Sequence, residues 1–329
     1  MHRFSLLLIL AAAACSGPDE TGDPSDSTDT QDTQDTQDTQ DTQDTQDTQD
    51  TQDTAGAAVA VTAGLIHTCA LRSDGDVTCW GSNEYAQTNV PDSLSNSVAV
   101  AAGGFDTCAL NADGAITCWG HNDYDQTGLP DSLANTAAVA VGGYHACALS
   151  HDGDVTCWDY YGQTNVPNSL TNAVAITAGE YHSCALSDEG EVTCWGDNNY
   201  GQSSVPESLA DTVAISAGGL YTCALSGQGE VTCWGDNIAG QTDVPESLSG
   251  SVAITAGSSH ACVLSVEGEL TCWGDNTGGQ TDVPESLTDT VAVTAGYGHT
   301  CALSDAGDVS CWGFNAHGQS DVPESLNGG

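Results

Sequence analysis

Cys69-Ala-Leu-Arg-Ser-Asp-Gly-Asp-Val-Thr-Cys79-Trp80-Gly81 returns, with small changes, at Cys108, Cys147, Cys184, Cys223, Cys262 and Cys301. The steps are 39, 39, 37, 39, 39 and 39 residues. Self-similarity at such a period marks a repeat architecture. All seven tryptophans share one slot: Trp80, Trp119, Trp158, Trp195, Trp234, Trp273 and Trp312. The short step is a two-residue deletion after Trp158, where Asp-Tyr-Tyr-Gly replaces the Gly-Ser-Asn-Glu-Tyr-Ala that follows Trp80. Each unit also carries a Val-Ala-Val/Ile run before Ala-Gly or Gly-Gly, and a Val/Leu-Pro-Asp/Glu/Asn-Ser-Leu turn. Seven units fill residues 56–329.

Within a unit the pattern is strand and turn. Val98-Ala-Val100 and its equivalents are short β-branched runs. Cys69 to Gly81 reads as a hairpin around Ser73-Asp74-Gly75, a three-residue loop with glycine last. That register sets Leu71 opposite Val77 and Cys69 opposite Cys79. A two-residue Asp-Gly turn would instead set Cys69 against Trp80. The first register is preferred because it brings the cysteines face to face. Short strands at even spacing predict an all-β, seven-bladed β-propeller with one unit of about 39 residues per blade.

The consensus Ala-Gly-x-x-His-Thr-Cys-Ala-Leu-x-x-Asp-Gly-x-Val-Thr-Cys-Trp-Gly-x-Asn-x-x-Gly-Gln resembles the repeat of the regulator-of-chromosome-condensation family, whose members are seven-bladed propellers. The resemblance covers residues 56–329. The unit length and the Gly-Gln-Thr-x-Val-Pro segments (Gly240 to Pro245, Gly279 to Pro284) are more similar to a family of secreted bacterial propellers that inhibit β-lactamases. Those propellers lack the paired cysteines, so the likeness is one of scaffold.

Fifteen cysteines are an odd number. The spacing Cys-x9-Cys occurs seven times and accounts for fourteen of them. Zinc sites bring cysteines in closer pairs and four ligands to one point, which one pair per blade does not supply. The expected bridges are Cys69–Cys79, Cys108–Cys118, Cys147–Cys157, Cys184–Cys194, Cys223–Cys233, Cys262–Cys272 and Cys301–Cys311. Disulfides imply an exported protein. Cys15 is left over. It follows a cationic start and an apolar run, Met1 to Ala14, that reads as a secretory signal too short to span a bilayer. Ala-Ala-Ala-Cys15 resembles a bacterial lipobox, with Ala12 where leucine is usual. The expectation is lipidation of Cys15 and, with Ser16 next, sorting to the bacterial outer membrane. The alternative is plain secretion after cleavage at the same bond.

Residues 15–55 read as a disordered tether. From Gln31 to Thr54 the triplet Gln-Asp-Thr repeats eight times, with nothing apolar to bury. The chain as a whole carries 46 acidic residues, no lysine and two arginines, Arg3 and Arg72, for a formal charge of −44. Such a balance excludes the phosphate neutralisation that nucleic-acid binding needs. It equally excludes a polybasic membrane patch, leaving the N-terminal lipid as the only membrane contact.

Core positions repeat almost unchanged, whereas aromatics vary from copy to copy in two loops. Phe105, Tyr144, Tyr181, Tyr221 and Tyr297 are assigned to the loop before the hairpin. Tyr85, Tyr124, Tyr160, Tyr161, Tyr200 and Phe314 follow the tryptophan slot. Variation on a fixed scaffold, rich in tyrosine, reads as a partner-binding surface. His67, His145, His182, His260 and His299 precede the first hairpin cysteine by two residues. They read as structural, with metal binding or pH sensing as the alternative. Ser73-Asp-Gly-Asp76 and Asp197-Asn198 offer oxygens that suit calcium, but no segment matches a twelve-residue calcium loop. No cofactor and no catalytic residue are assigned. The expected function is a monomeric, non-enzymatic binding module for an extracellular or periplasmic protein or glycan. The alternatives are an inhibitor of an enzyme in that compartment, or a lyase or glycosidase with an axial site.

Overall fold

The computed structural model describes residues 56–123, 126–159 and 162–327. Signal peptide, tether and Cys15, like Tyr124, Tyr160 and Tyr161, lie outside the described residues. The rest forms seven three-stranded antiparallel sheets, each built from one repeat. In the first blade the inner strand is Ala58–Ala63, the middle strand His67–Arg72 and the outer strand Val77–Gly81. Every sheet runs in chain order, so no blade is shared between the ends of the domain.

The hairpin register is the one the cysteines favour. Cys69 pairs with Cys79 and Leu71 with Val77. Gly75 closes the turn at φ 87°, a conformation open to glycine, and Arg72 N–H donates to Asp76 O at 2.9 Å across the loop. All seven expected disulfides are formed, with Cα atoms 4.0–4.1 Å apart. Each closes a loop of about eleven residues and stabilises by about 2–3 kcal/mol through the unfolded chain.

The apolar core lies between blades. One cluster joins Leu149 and Cys147 of the third blade to Ala173, Ala185 and Trp195 of the fourth. Middle strands therefore bury both faces: the first five residues of each are buried in all seven blades. Each joint also carries a fixed polar bond, in which the indole Nε1–H donates to the backbone carbonyl of a glutamine in the preceding repeat. Trp195 reaches Gln163 O at 2.7 Å and Trp234 reaches Gln202 O at 2.9 Å. Trp80 reaches Gln319 O at 3.0 Å, so the last repeat closes onto the first by the same bond.

Inner strands stand side by side around the axis and end in the Ala-Gly or Gly-Gly pairs. There a circle of backbone bonds links blade to blade, from Leu65 N–H to Gly103 O (3.0 Å) round to Tyr297 N–H to Gly64 O (3.3 Å). A Cβ at Gly64 would collide with Gly103 O and with the His67 ring. That double collision explains the glycine at this step of every repeat.

The histidine slot is a second interblade joint. Nε2 of His67, His145, His182, His260 and His299 meets the hydroxyl of Thr107, Ser183, Thr222, Thr300 and Thr68 of the next blade at 2.6–2.9 Å. Thr68, Thr107, Thr222 and Thr300 donate their own protons to glutamine carbonyls. Their oxygens must then accept from Nε2–H, which fixes the neutral tautomer. Burial holds these imidazoles far below the usual value: to about 4 for His67, His182 and His260, and to about 3 for His145 and His299. The histidines are structural.

Two blades break the pattern, and their partners break it with them. Asp106 and Tyr221 fill the slot where the next blade has Ala146 and Ala261 in place of the hydroxyl residue. Tyr221 is completely buried at the start of a middle strand. Its hydroxyl donates across the joint to the His260 carbonyl. Tyr221 thus leaves the set of loop residues assigned to partner binding: it replaces the imidazole staple with a longer one.

Candidate functional site

Antiparallel pairing puts the loop after each inner strand and the loop after each outer strand on one face of the disc, because His67 pairs with Gly81. The hairpin tips, such as Ser73–Gly75, lie on the opposite face. The loop after the outer strand has its own internal frame. Asn198 Oδ1 accepts Ser203 N–H at 3.0 Å, and the buried Gln202 holds Tyr200 N–H at 3.0 Å and Asp197 Oδ2 at 2.9 Å. The same bonds recur around Gln241 and Gln280. Frame residues repeat, and the positions between them carry the variable side chains.

Most of the described loop aromatics assigned from sequence are accessible on this face. Tyr85, Tyr181, Tyr200, Tyr297 and Phe314 are exposed, while Phe105 and Tyr144 are partly covered. They group by joint. Tyr85 packs on Phe105 at 5.3 Å between ring centres and edge-on to His121 at 4.7 Å. His121 Nε2 stands 3.3 Å from Asp123. His121 carries no assignment from the sequence, although it stands in the post-tryptophan loop of its own repeat. Tyr144 and Tyr181 stack at 5.2 Å across the next-but-one joint.

An axial cavity of about 100 Å³ is lined by the glycine circle together with Leu65, Glu180, Ser258 and Tyr297. Glu180 is its one acidic lining residue, and burial raises its carboxyl above the usual range. Burial also pushes the Tyr181 phenol up. A wider lateral pocket of about 610 Å³ is lined by Tyr181, Asp197, Asn199, Tyr200 and Leu220, among others. Glu180 was missed from sequence, although the position after the axial glycine reads Leu65, Gly104, Gly143, Glu180, Gly219, Ser258, Tyr297 and holds a single acid.

Asp74, one of the acids considered for calcium, serves as a turn former. Asp74 accepts Gly56 N–H at 3.0 Å and Asp76 N–H at 3.1 Å, and these bonds hold its carboxyl below the usual range. Among the described residues no three metal-ligating side chains gather at one point.

The profile of the "Regulator of chromosome condensation (RCC1) repeat" matches residues 58–87, 98–126, 173–202, 213–241, 252–280 and 291–319. The chain belongs to the regulator of chromosome condensation repeat family. The third blade falls outside the matched segments, yet it keeps its strands, its disulfide and its Trp158–Gln126 bond. The ectodomain of the receptor kinase CR4 from Physcomitrella patens is similar, at 27% identity and a TM-score of 0.67, over 79% of this chain and 74% of that one. The CRINKLY WD40 ectodomain of the Arabidopsis thaliana receptor kinase ACR4 matches at 26% identity and a TM-score of 0.64, over 79% and 98%. Prp20p from Saccharomyces cerevisiae shares the fold, at 19% identity and a TM-score of 0.63, over 75% and 83%. No curated protein sequence matches the chain. Both plant relatives are ectodomains, and seven disulfides in one repeat domain suit the same oxidising, extracellular setting.

Proposed function

We propose that this propeller is a non-enzymatic binding module that holds a protein partner on its loop face. One observation carries the reading. The bonds that join the blades recur round the ring, while the exposed aromatics between them differ from blade to blade. Packing alone would favour one residue per position. Exposed tyrosines that vary on a rigid frame provide large, low-entropy contact area. The extracellular relatives support a binding module in the same setting. Glu180 stands at the axis with no second acid among the residues lining that cavity, whereas glycoside hydrolysis calls for a pair.

The finer placement is part of the proposal. Residues 1–14 act as a lipoprotein signal, Cys15 carries the lipid, and residues 15–55 hold the propeller away from a bacterial outer membrane. The test compares two full-length variants for partner capture from the surrounding envelope and medium. One carries serine at Tyr85, Tyr181, Tyr200 and Tyr297; the other carries serine at the exposed hairpin-face residue Val266. Loss of the partner with the first alone supports the reading. Equal capture by both contradicts it.

A further inference from the structure

The loop after the tryptophan opens with the same aspartate in three consecutive blades, as Asp197, Asp236 and Asp275, each bonded to the glutamine of its frame at 2.9 Å. At the two positions that flank this acid, aromatic residues occur beside Asp197 and not beside Asp236 or Asp275. Tyr181 and Tyr200 flank Asp197, whereas Leu220 and Ala239 hold those positions beside Asp236, and Ser259 and Gly278 beside Asp275. Tyr181, Tyr200 and Asp197 line the same lateral pocket of about 610 Å³. Tyr144 stacks on Tyr181 at 5.2 Å and holds that ring in place from the preceding blade.

Asp197 spends one oxygen on Gln202 Nε2 and the other on Asn199 Nδ2. A carboxylate has about four acceptor sites, so both oxygens keep capacity for a donor from outside. Among the described residues the chain does not supply that donor. It contains no lysine, and Arg72 lies at the hairpin end of its strand, bonded to Ser325. A planar cation that stacks on phenol rings and donates in a fork to a carboxylate fits both halves of the pocket, and guanidinium has this chemistry. The formal charge of −44 draws cationic partners to the whole surface, but the aromatic walls belong to this pocket.

We propose that the lateral pocket of the fourth blade receives an arginine side chain of the partner protein, stacked against Tyr181 and Tyr200 and paired with Asp197. The inference rests on the binding-module reading and names the chemistry of the partner residue that anchors it.

The test titrates the full-length, oxidised chain with N-acetyl-arginine-N-methylamide and with its uncharged citrulline counterpart, followed by NMR shift perturbation. Asp197→Asn is compared with Asp236→Asn, which removes the same charge from the same frame one blade on. Saturable binding of the arginine probe is expected, weakened at least tenfold by Asp197→Asn and at least fivefold by Tyr200→Ala. Asp236→Asn should stay within twofold of the parent, and the citrulline probe should not bind. Equal losses for the two aspartate variants would reduce the effect to diffuse charge and overturn the proposal. So would equal binding of citrulline, or no saturation by arginine. If these fail while the tyrosine-to-serine variants still lose partner capture, the loop face stands and the arginine pocket alone falls.

Discussion

The tryptophan–glutamine bond spans all seven joints, whereas the second residue after the axial glycine is Ile66, Phe105, Tyr144, Tyr181, Leu220, Ser259 or Gly298. In every repeat the tryptophan follows that variable position by 14 residues. What separates them is the number of neighbours that constrain each side chain. An indole between two blades must satisfy its N–H and fill a fixed volume, so one solution recurs. A side chain past the axial glycine faces solvent and is free to differ. The middle-strand slot shows what happens in between: it tolerates change only when the next blade changes too, as with Tyr221 and Ala261.

Breaking the joint side of this comparison should give the largest effects. Reduction of the disulfides removes about 2–3 kcal/mol at each bridge. The reduced chain is expected to lose its cooperative thermal transition in circular dichroism. Trp195→Ala, which empties an interblade core position and deletes the bond to Gln163, should cost about 3–5 kcal/mol in denaturant unfolding.

A smaller effect follows from the histidines. Their folded pKa values lie near 3–4, below the unfolded value of 6.5. Below pH 6.5 the unfolded chain takes up protons that the native chain refuses. The stability they contribute is therefore complete above pH 6.5 and declines as pH falls toward 4, by about 1.4 kcal/mol per histidine and pH unit. His260→Tyr paired with Thr300→Ala copies the Tyr221 joint. This pair should flatten the melting temperature between pH 6.5 and 4.5 by one histidine's share. It should also be more stable than His260→Tyr alone, which leaves the Thr300 hydroxyl in the way; a double-mutant cycle at pH 7 measures the difference. The smallest effect belongs to the loop face: Tyr200→Ser should change stability by less than about 0.5 kcal/mol while altering binding. A large loss of stability there would erase the distinction between the two regions.

Much of the architecture was legible in the sequence because each repeat solves the same packing problem. The hairpin glycine, the Cys-x9-Cys spacing and the tryptophan period sufficed for the blade count, the register and the bridges. Tyr221 was misread because tyrosines were grouped by loop, whereas its distance from Cys223 matches that of His67 from Cys69. The link between Asp106 or Tyr221 and the following alanine was also present in the sequence. Its meaning needs the next blade to stand one residue away in space. Glu180 and the pocket around Asp197 were hidden for the same reason: their neighbours come from loops of different repeats, and no local pattern brings them together.

The most direct measurement places a photo-crosslinking residue at position 200 on the loop face, and at position 266 on the hairpin face, in full-length chains displayed by cells. The account predicts a discrete partner adduct from position 200 and none from position 266. Adducts of equal yield from both positions, or an adduct from position 266 alone, would contradict it.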